Sequence, residues 1–250
     1  MNSIVIILGI LIVFLIYLLV VYLTSKSYVL GTQYNFTQII IPISGDNLPQ
    51  ATNVSYAYGI WLYVQNWDPN TQKTILYRQN NFKLYLDKKT PVLYCDMTLT
   101  DGSTKTVMIT NSFALQRWVC IILSMDGQYL DCYLDGKLVI SYQIITVSKS
   151  TGTTTSVPMQ PTDSTTAPLY LGNSATPNFK AATSSGGTGS GWSATANAVT
   201  RWVTPVDPQS AWNWYMKGNG QSTTGIASSY KVNYSILKDN VAIVNNRPLF

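Results

Sequence analysis

The stretch Arg117 to Tyr142, RWVCIILSMDGQYLDCYLDGKLVISY, decides how the rest of the chain reads. Apolar and β-branched residues fill Trp118 to Leu123, Asp126-Gly127 supplies a pair that tolerates positive φ, and Leu130, Cys132 and Leu134 alternate with Asp131 and Tyr133. Alternation at period two gives a strand one face to bury and one to show. A second turn pair, Asp135-Gly136, passes the chain on to Lys137 to Tyr142. The reading is a meander of antiparallel strands joined by minimal loops.

Upstream of the meander, short strands are expected at Tyr56 to Val64, Lys73 to Arg78, Phe82 to Asp87, Val92 to Leu99 and Thr104 to Ile109, with Asp101-Gly102 as a further hairpin turn. Regular short strands separated by Gly, Asn and Asp indicate a sandwich rather than alternating βα units. Thr146 to Pro168 and Asn173 to Ala196 are rich in Ser, Thr, Gly and Pro and read as surface loops. Ser185 to Gly191, SGGTGSG, lacks the feeding strand and the Gly-Lys-Ser/Thr of a phosphate loop. Asp207-Pro208 opens a soluble helix, with an acid at the N-cap and Pro at the first helical position. That helix carries Ala211, Trp212, Trp214 and Tyr215 and stops at Gly218; Trp212 and Tyr215 are expected to dock it. Tyr230 to Leu237 and Val241 to Val244 read as a terminal hairpin, followed by a tail.

Trp118, Asp126-Gly127 and the run Leu130 to Val139, with its Tyr-Leu-Asp-Gly-Lys-Leu-Val core, resemble a laminin-G or concanavalin A-like domain. Val54 to Val64 with Trp61 is similar to the first core strand of that family, Leu169 to Gly172 to the strand that follows the meander, and Ala198 to Tyr215 to the closing strand and short helix. The resemblance covers residues 50 to 216. It implies an all-β fold, a concanavalin A-like (laminin-G-like) antiparallel sandwich of two sheets, often used to bind glycans or proteins.

Composition narrows the chemistry. Charged residues are only 11% of the chain, and the remainder favours Ser, Thr, Asn, Gln and Tyr, which suits strands and neutral polar surfaces. His is absent, and all 11 acidic residues are Asp. The net charge of +5 is spread singly apart from Lys88-Lys89, so no basic stripe tracks a phosphate backbone and no nucleic-acid partner is expected. Cys95, Cys120 and Cys132 form no CxxC pair; Cys120 and Cys132 sit on the two arms of one hairpin, yet the odd count and strand positions favour buried free thiols.

Ile4 to Leu23, IVIILGILIVFLIYLLVVYL, contains no charge and no strongly polar group. As a helix rising about 1.5 Å per residue it matches the hydrocarbon thickness of a bilayer, so a single transmembrane helix over 4–23 is expected. The run exceeds a signal-peptide core and lacks a basic leader and a clear cleavage site. Lys26 favours a cytosolic position for the domain C-terminal to it, while the sequons at Asn35, Asn53 and Asn233 suit a lumenal one. The domain reading is a 4–23 anchor, a 24–52 tether, a 53–216 sandwich and a 217–250 hairpin and tail.

Glucanases of the concanavalin A-like fold use Glu-x-Asp-x-Glu, and this chain has no Glu and no D-x-D-x-D run. Without His, nucleophile activation and zinc binding lose their usual partners. No enzyme, no catalytic residue and no cofactor is therefore expected. Calcium is the metal weighed, through Asp87, Asp96, Asp101 and Asp135 near strand ends, with turn formation as the plainer role of each. Trp67 and Trp192, in loop-like sequence, are weighed as sugar-stacking residues against packing. No metal or ligand site is assigned.

Two functions are weighed. The first is an anchored structural protein that links an internal bilayer to a shell of capsid proteins; its architecture resembles virion proteins of large icosahedral double-stranded DNA viruses. Its localisation would be single-pass in the virion membrane. The alternative is a membrane-anchored lectin or adhesion module that binds glycan.

Overall fold

A computed structural model describes residues 11–17, 27–147, 153–161, 167–172, 191–220, 233–238 and 241–248. Residues 11–17 (α1) are helical with exposed apolar side chains; the rest of the expected 4–23 span lies outside the described residues. Among the described residues no helix is long and apolar enough to cross a membrane.

The alternating stretches become strands: β1 (Ser27–Asn35), β2 (Tyr56–Val64), β3 (Lys73–Arg78), β4 (Phe82–Leu86), β5 (Leu93–Thr98), β6 (Thr104–Thr110), β7 (Trp118–Asp126), β8 (Tyr129–Leu134) and β9 (Lys137–Gln143). They are followed by β10 (Thr146–Val147), β11 (Thr154–Ser156), β12 (Leu169–Leu171), β13 (Ala194–Trp202), the helix α2 (Pro208–Met216), β14 (Asn233–Lys238) and β15 (Val241–Pro248). One sheet runs β1-β13-β2-β7-β8-β9 and the other β12-β3-β4-β5-β6, while β10-β11 and β14-β15 are separate hairpins. Contacts divide the chain into Met1–Asn219 and Gly220–Phe250; the second unit contains the β14-β15 hairpin, paired from Asn233↔Pro248 to Lys238↔Val241.

Parity explains the core. On β2, Tyr56, Tyr58, Ile60, Leu62 and Val64 turn inward, as do Val119, Ile121, Leu123 and Met125 on β7 and Leu130 and Cys132 on β8. The second sheet answers with Phe82, Leu84, Leu86, Leu93, Cys95, Met97, Val107 and Ile109. Each such Leu, Ile or Phe contributes about 1.5–3 kcal/mol through burial. The opposite parity of the first sheet, Ala57, Trp61, Cys120, Ile122 and Tyr133, is covered by Val206, Ala211, Trp214 and Tyr215.

The meander turns behave as their chemistry requires. Asp135 and Gly136 both have positive φ, +48° and +75°, between the paired residues Leu134 and Lys137. The preceding turn is shifted by one residue from the expected pair: Asp126 still pairs with Tyr129, so Gly127 (φ +58°) and Gln128 are its centre. Cys120 and Cys132 do not face each other. Cys120 pairs with Trp61 on the helix side, Cys132 pairs with Leu123 and points into the core, and all three cysteines are free.

Two boundaries differ from the sequence reading. The expected 24–52 tether contains β1, which is paired with β13 from Ser27↔Trp202 to Asn35↔Thr195, and it buries Phe36, Ile40 and Leu48. β1 is an edge strand with both faces largely wet, so its side chains show no apolar alternation. The expected loop ending at Ala196 likewise stops early: 173–190 lie outside the described residues, but Ala194–Trp202 forms β13, sandwiched between β1 and β2.

Candidate functional site

Register places two rows of side chains on the outer face of the five-stranded sheet. The first crosses every strand: Tyr170↔Tyr77, Tyr77↔Lys83, Lys83↔Asp96 and Asp96↔Thr106. The second runs Thr74↔Tyr85, Tyr85↔Tyr94 and Tyr94↔Met108. Inward neighbours Phe82, Leu84, Leu86, Cys95 and Val107 hold β4, β5 and β6 to the core, so outward position there follows from parity, whereas on β3 a register shift between Thr74 and Leu76 puts both Ile75 and Leu76 in the core.

Contacts within the rows fix the surface. The Tyr85 and Tyr94 rings lie 5.7 Å apart and 27° from parallel, and Tyr77 and Tyr170 lie 5.6 Å apart at 33°. Lys83 Nζ stands 5.1 Å from the Tyr85 ring centroid, a cation–π contact. The Tyr85 hydroxyl donates to Asp96 Oδ1 at 3.3 Å and Thr106 Oγ1 donates to the same oxygen at 2.7 Å. Burial, then the charge and hydrogen bond of Asp96, raises the Tyr85 hydroxyl, so it stays a neutral donor at pH 7. Burial pushes Tyr77 up to about 12, with a smaller contribution from Tyr170, and desolvation lowers Lys83 against the opposing pull of Asp96. At β3 the rows are covered, with Tyr77 and Thr74 buried; the accessible part is the half-buried Tyr85–Tyr94 pair, edged by one carboxylate, one ammonium group, a threonine hydroxyl and the exposed Met108.

The residues weighed from sequence fall elsewhere, with one exception. Asp96 belongs to this face. Asp87 accepts from Lys89 N, Thr90 N and Thr90 Oγ1, and Asp101 from Ser103 N and Ser103 Oγ, so both organise turns. Asp135 accepts from Cys120 N at 2.9 Å and pairs with Arg117 at 2.8 Å. Among the described residues no group of three or more His, Cys, Asp or Glu converges to hold a metal. Trp192 is a core residue, against Phe36 with its Nε1 donating to Thr74 O, and Trp67 is half-buried under Lys73 Nζ with its Nε1 donating to Lys89 O. Neither offers a free ring. Sequence reasoning misses the Tyr85–Tyr94 pair; the alternation Phe82-Lys83-Leu84-Tyr85-Leu86 is the signal that exposes it.

On the other sheet, α2 covers the outer face. Asp207 caps it by accepting from Ser210 N at 2.9 Å, with Pro208 in the first turn. Ala211, Trp214 and Tyr215 dock it: Tyr215 stacks on Trp61 at 5.5 Å and 16°, and Trp214 meets Trp202 edge-on at 5.4 Å. Trp212, expected to dock the helix, packs with Tyr215 over the β8–β9 turn at Gly136 while its outer part stays 40% exposed. A cleft of about 320 Å³ lies at the start of this helix, lined by Ser27, Trp202, Thr204, Pro205, Val206, Asp207 and Ser210.

Two antiparallel sheets packed face to face, with a meander at the centre of one and a helix across its back, define a β-sandwich of jelly-roll type. Residues 41–185, more than half of the chain, match the family model described as the concanavalin A-like lectin/glucanases superfamily, and the chain belongs to that family. No curated protein matches the sequence. Similar solved structures include the botulinum neurotoxin serotype D binding domain, at 10% identity and a TM-score of 0.43 over 74% of this chain and 39% of that one. The serotype D ligand binding domain in complex with N-acetylneuraminic acid is similar at 10% identity and 0.46, over 75% and 46%. The binding domain of Paraclostridial Mosquitocidal Protein 1 is similar at 10% and 0.46, over 74% and 47%. In each case the chain spans less than half the length of the solved chain.

Proposed function

We propose that the protein is a non-enzymatic, membrane-anchored module whose concanavalin A-like sandwich binds glycan on the outer face of the five-stranded sheet. The observation that carries this reading is the Tyr85–Tyr94 pair flanked by Asp96, Lys83 and Thr106. Sugar rings present apolar C–H faces and equatorial hydroxyls, and this patch offers ring faces for the first and fixed polar groups for the second. Glycoside cleavage uses a pair of carboxyl groups, whereas the two rows contain Asp96 alone, which favours binding without turnover. The anchor is the 4–23 apolar run.

The test is a glycan array probed with the full chain in detergent, followed by titration calorimetry on the best ligand. Tyr94→Ala is expected to weaken binding about tenfold, equivalent to ~1.4 kcal/mol, and Asp96→Asn to change which glycans are preferred. Unchanged binding in both variants would remove this face from the proposal.

A bilayer-to-shell structural role is the second reading. One observation favours it: Ile39 and Ile41 are 82% and 85% exposed on either side of buried Ile40, a type of surface that suits a protein contact. Under that reading, Ile39→Ser with Ile41→Ser releases a cross-linked protein partner, and glycan affinity is negligible in the parent chain as well.

A further inference from the structure

We infer that the end of the sandwich at which β1 begins is a membrane-contact surface, seated on the headgroups of the bilayer that holds the 4–23 run. The inference rests on the anchor proposed above and adds which surface meets the lipid. Only Thr24, Ser25 and Lys26 separate Leu23 from Ser27, so in any conformation the two Cα atoms are within about 14 Å of each other. Ser27 is not a free linker residue but the first residue of β1, paired with Trp202.

The pairing extends that constraint across the molecule. Ser27↔Trp202, Trp202↔Ala57, Ala57↔Ser124, Ser124↔Asp131 and Asp131↔Ser141 form one continuous row through all strands of the six-stranded sheet. Whatever holds Ser27 near the bilayer therefore keeps the whole row within a sheet's width of it, about 24 Å, and the side chains along the row decide how closely it seats. The opposite end, marked by Asn35, Thr195, Tyr63 and Trp118, lies about 27 Å further along the strands.

The side chains at the near end suit the task. Val29 is 70% exposed, Tyr129 51% exposed, and Tyr28, Val54 and Tyr142 are exposed as well. Tyrosines with one apolar and one polar end favour the bilayer interface, and small apolar residues between them add contact area. The charges here do not build a basic patch: Lys26 is a single lysine in the link, Asp101, Asp126 and Asp207 are exposed, Lys105 lies over Tyr142, and Arg78 and Arg201 are buried on the backbone carbonyls of residues 49–51 and Ala167. Contact is therefore by aromatic and apolar side chains with neutral headgroups and is insensitive to salt.

The experiment places an environment-sensitive dye on Gln128→Cys, in the near-end turn, or on Asn66→Cys, beyond the far end of β2, in the full chain; the three native thiols are buried. Each form is reconstituted in phosphatidylcholine vesicles carrying a lipid with a headgroup-level quencher. The expected result is loss of fluorescence at Gln128, none at Asn66, and no change at about 0.5 M NaCl, where only a few ångströms separate a charge from its screening cloud. Val54→Asp with Tyr129→Asp is expected to relieve the quenching at Gln128 while the protein still floats with the vesicles. Flotation with equal quenching at both sites, or quenching at Asn66 alone, overturns the contact surface and leaves the anchor standing. Failure of every form to float overturns the anchor reading itself.

Discussion

Lys73 shows how much a single side chain does in this sandwich. It is fully buried, and its Nζ donates to the backbone oxygens of Asp68, Thr71 and Lys88 at 2.6, 2.9 and 2.9 Å while lying 4.0 Å from the Trp67 ring centroid. A buried ammonium survives only when its donors are used, and here they tie the 65–72 loop to the 87–92 loop. Lys73→Met keeps the volume but strands three carbonyls, so a loss of about 1–3 kcal/mol is expected, read as a lower urea midpoint at unchanged slope. The cysteines make the converse case. Burial raises the thiols of Cys95, Cys120 and Cys132, and no cation stands by to recover the thiolate among the causes of those shifts. A thiol reagent at pH 8 is expected to find none of them in the folded protein and all three after denaturation.

At the level of elements, what is legible from sequence is parity. A strand with one dry face advertises itself, which is why β2 to β9 are recognisable within a residue or two, and the Asp207-Pro208 signal is sufficient for α2. β1 and the N-terminal half of β13 are not legible, for opposite reasons. β1 is mostly wet and puts only partly buried Leu30 and Tyr34 against the core, whereas β13 begins inside a polar low-complexity stretch yet buries Ala194 and Ala196, residues too small to stand out. The candidate site is half legible: alternation turns Tyr85 and Tyr94 outward, but only the Tyr85↔Tyr94 register sets them side by side, and register is a property of two strands rather than one. The docking of α2 yields a sharp test. A Cβ on Gly59 would stand 2.8 Å from two ring carbons of Trp202 and 3.0 Å from Trp214. Gly59→Ala is thus expected to cost about 1–3 kcal/mol through overpacking and to alter the near-ultraviolet circular dichroism of the tryptophans before the strands melt.

Across the whole molecule, acid is the condition to which the surface is tuned. Asp101 is held down to about 2, first by the Ser103 and Ser156 side chains, and Asp68, Asp87 and Asp207 are lowered by the hydrogen bonds of their own turns and cap. Their folded values lie below the unfolded ones, so on acidification the unfolded chain takes up protons first. The contribution of Asp101 is present above the unfolded carboxylate value and is lost as the pH falls through about 2, and those of Asp68, Asp87 and Asp207 are lost in the same direction on acidification. The thermal midpoint is expected to be flat near neutrality and to drop over that window, with Asp101→Asn and Asp207→Asn both flattening the drop.

The direct continuation of the apolar run into β1 also sets the mechanics of the chain. A pull applied at Ser27 along the strand and resisted at the Asn35/Thr195 end of the sandwich runs along the axis of β1 and loads its bonds to β13 in shear, all together from Ser27↔Trp202 to Asn35↔Thr195, instead of peeling them one after another. A force-bearing join of that geometry yields at high load and abruptly, and the same strand pulled from its side would unzip under a fraction of the tension.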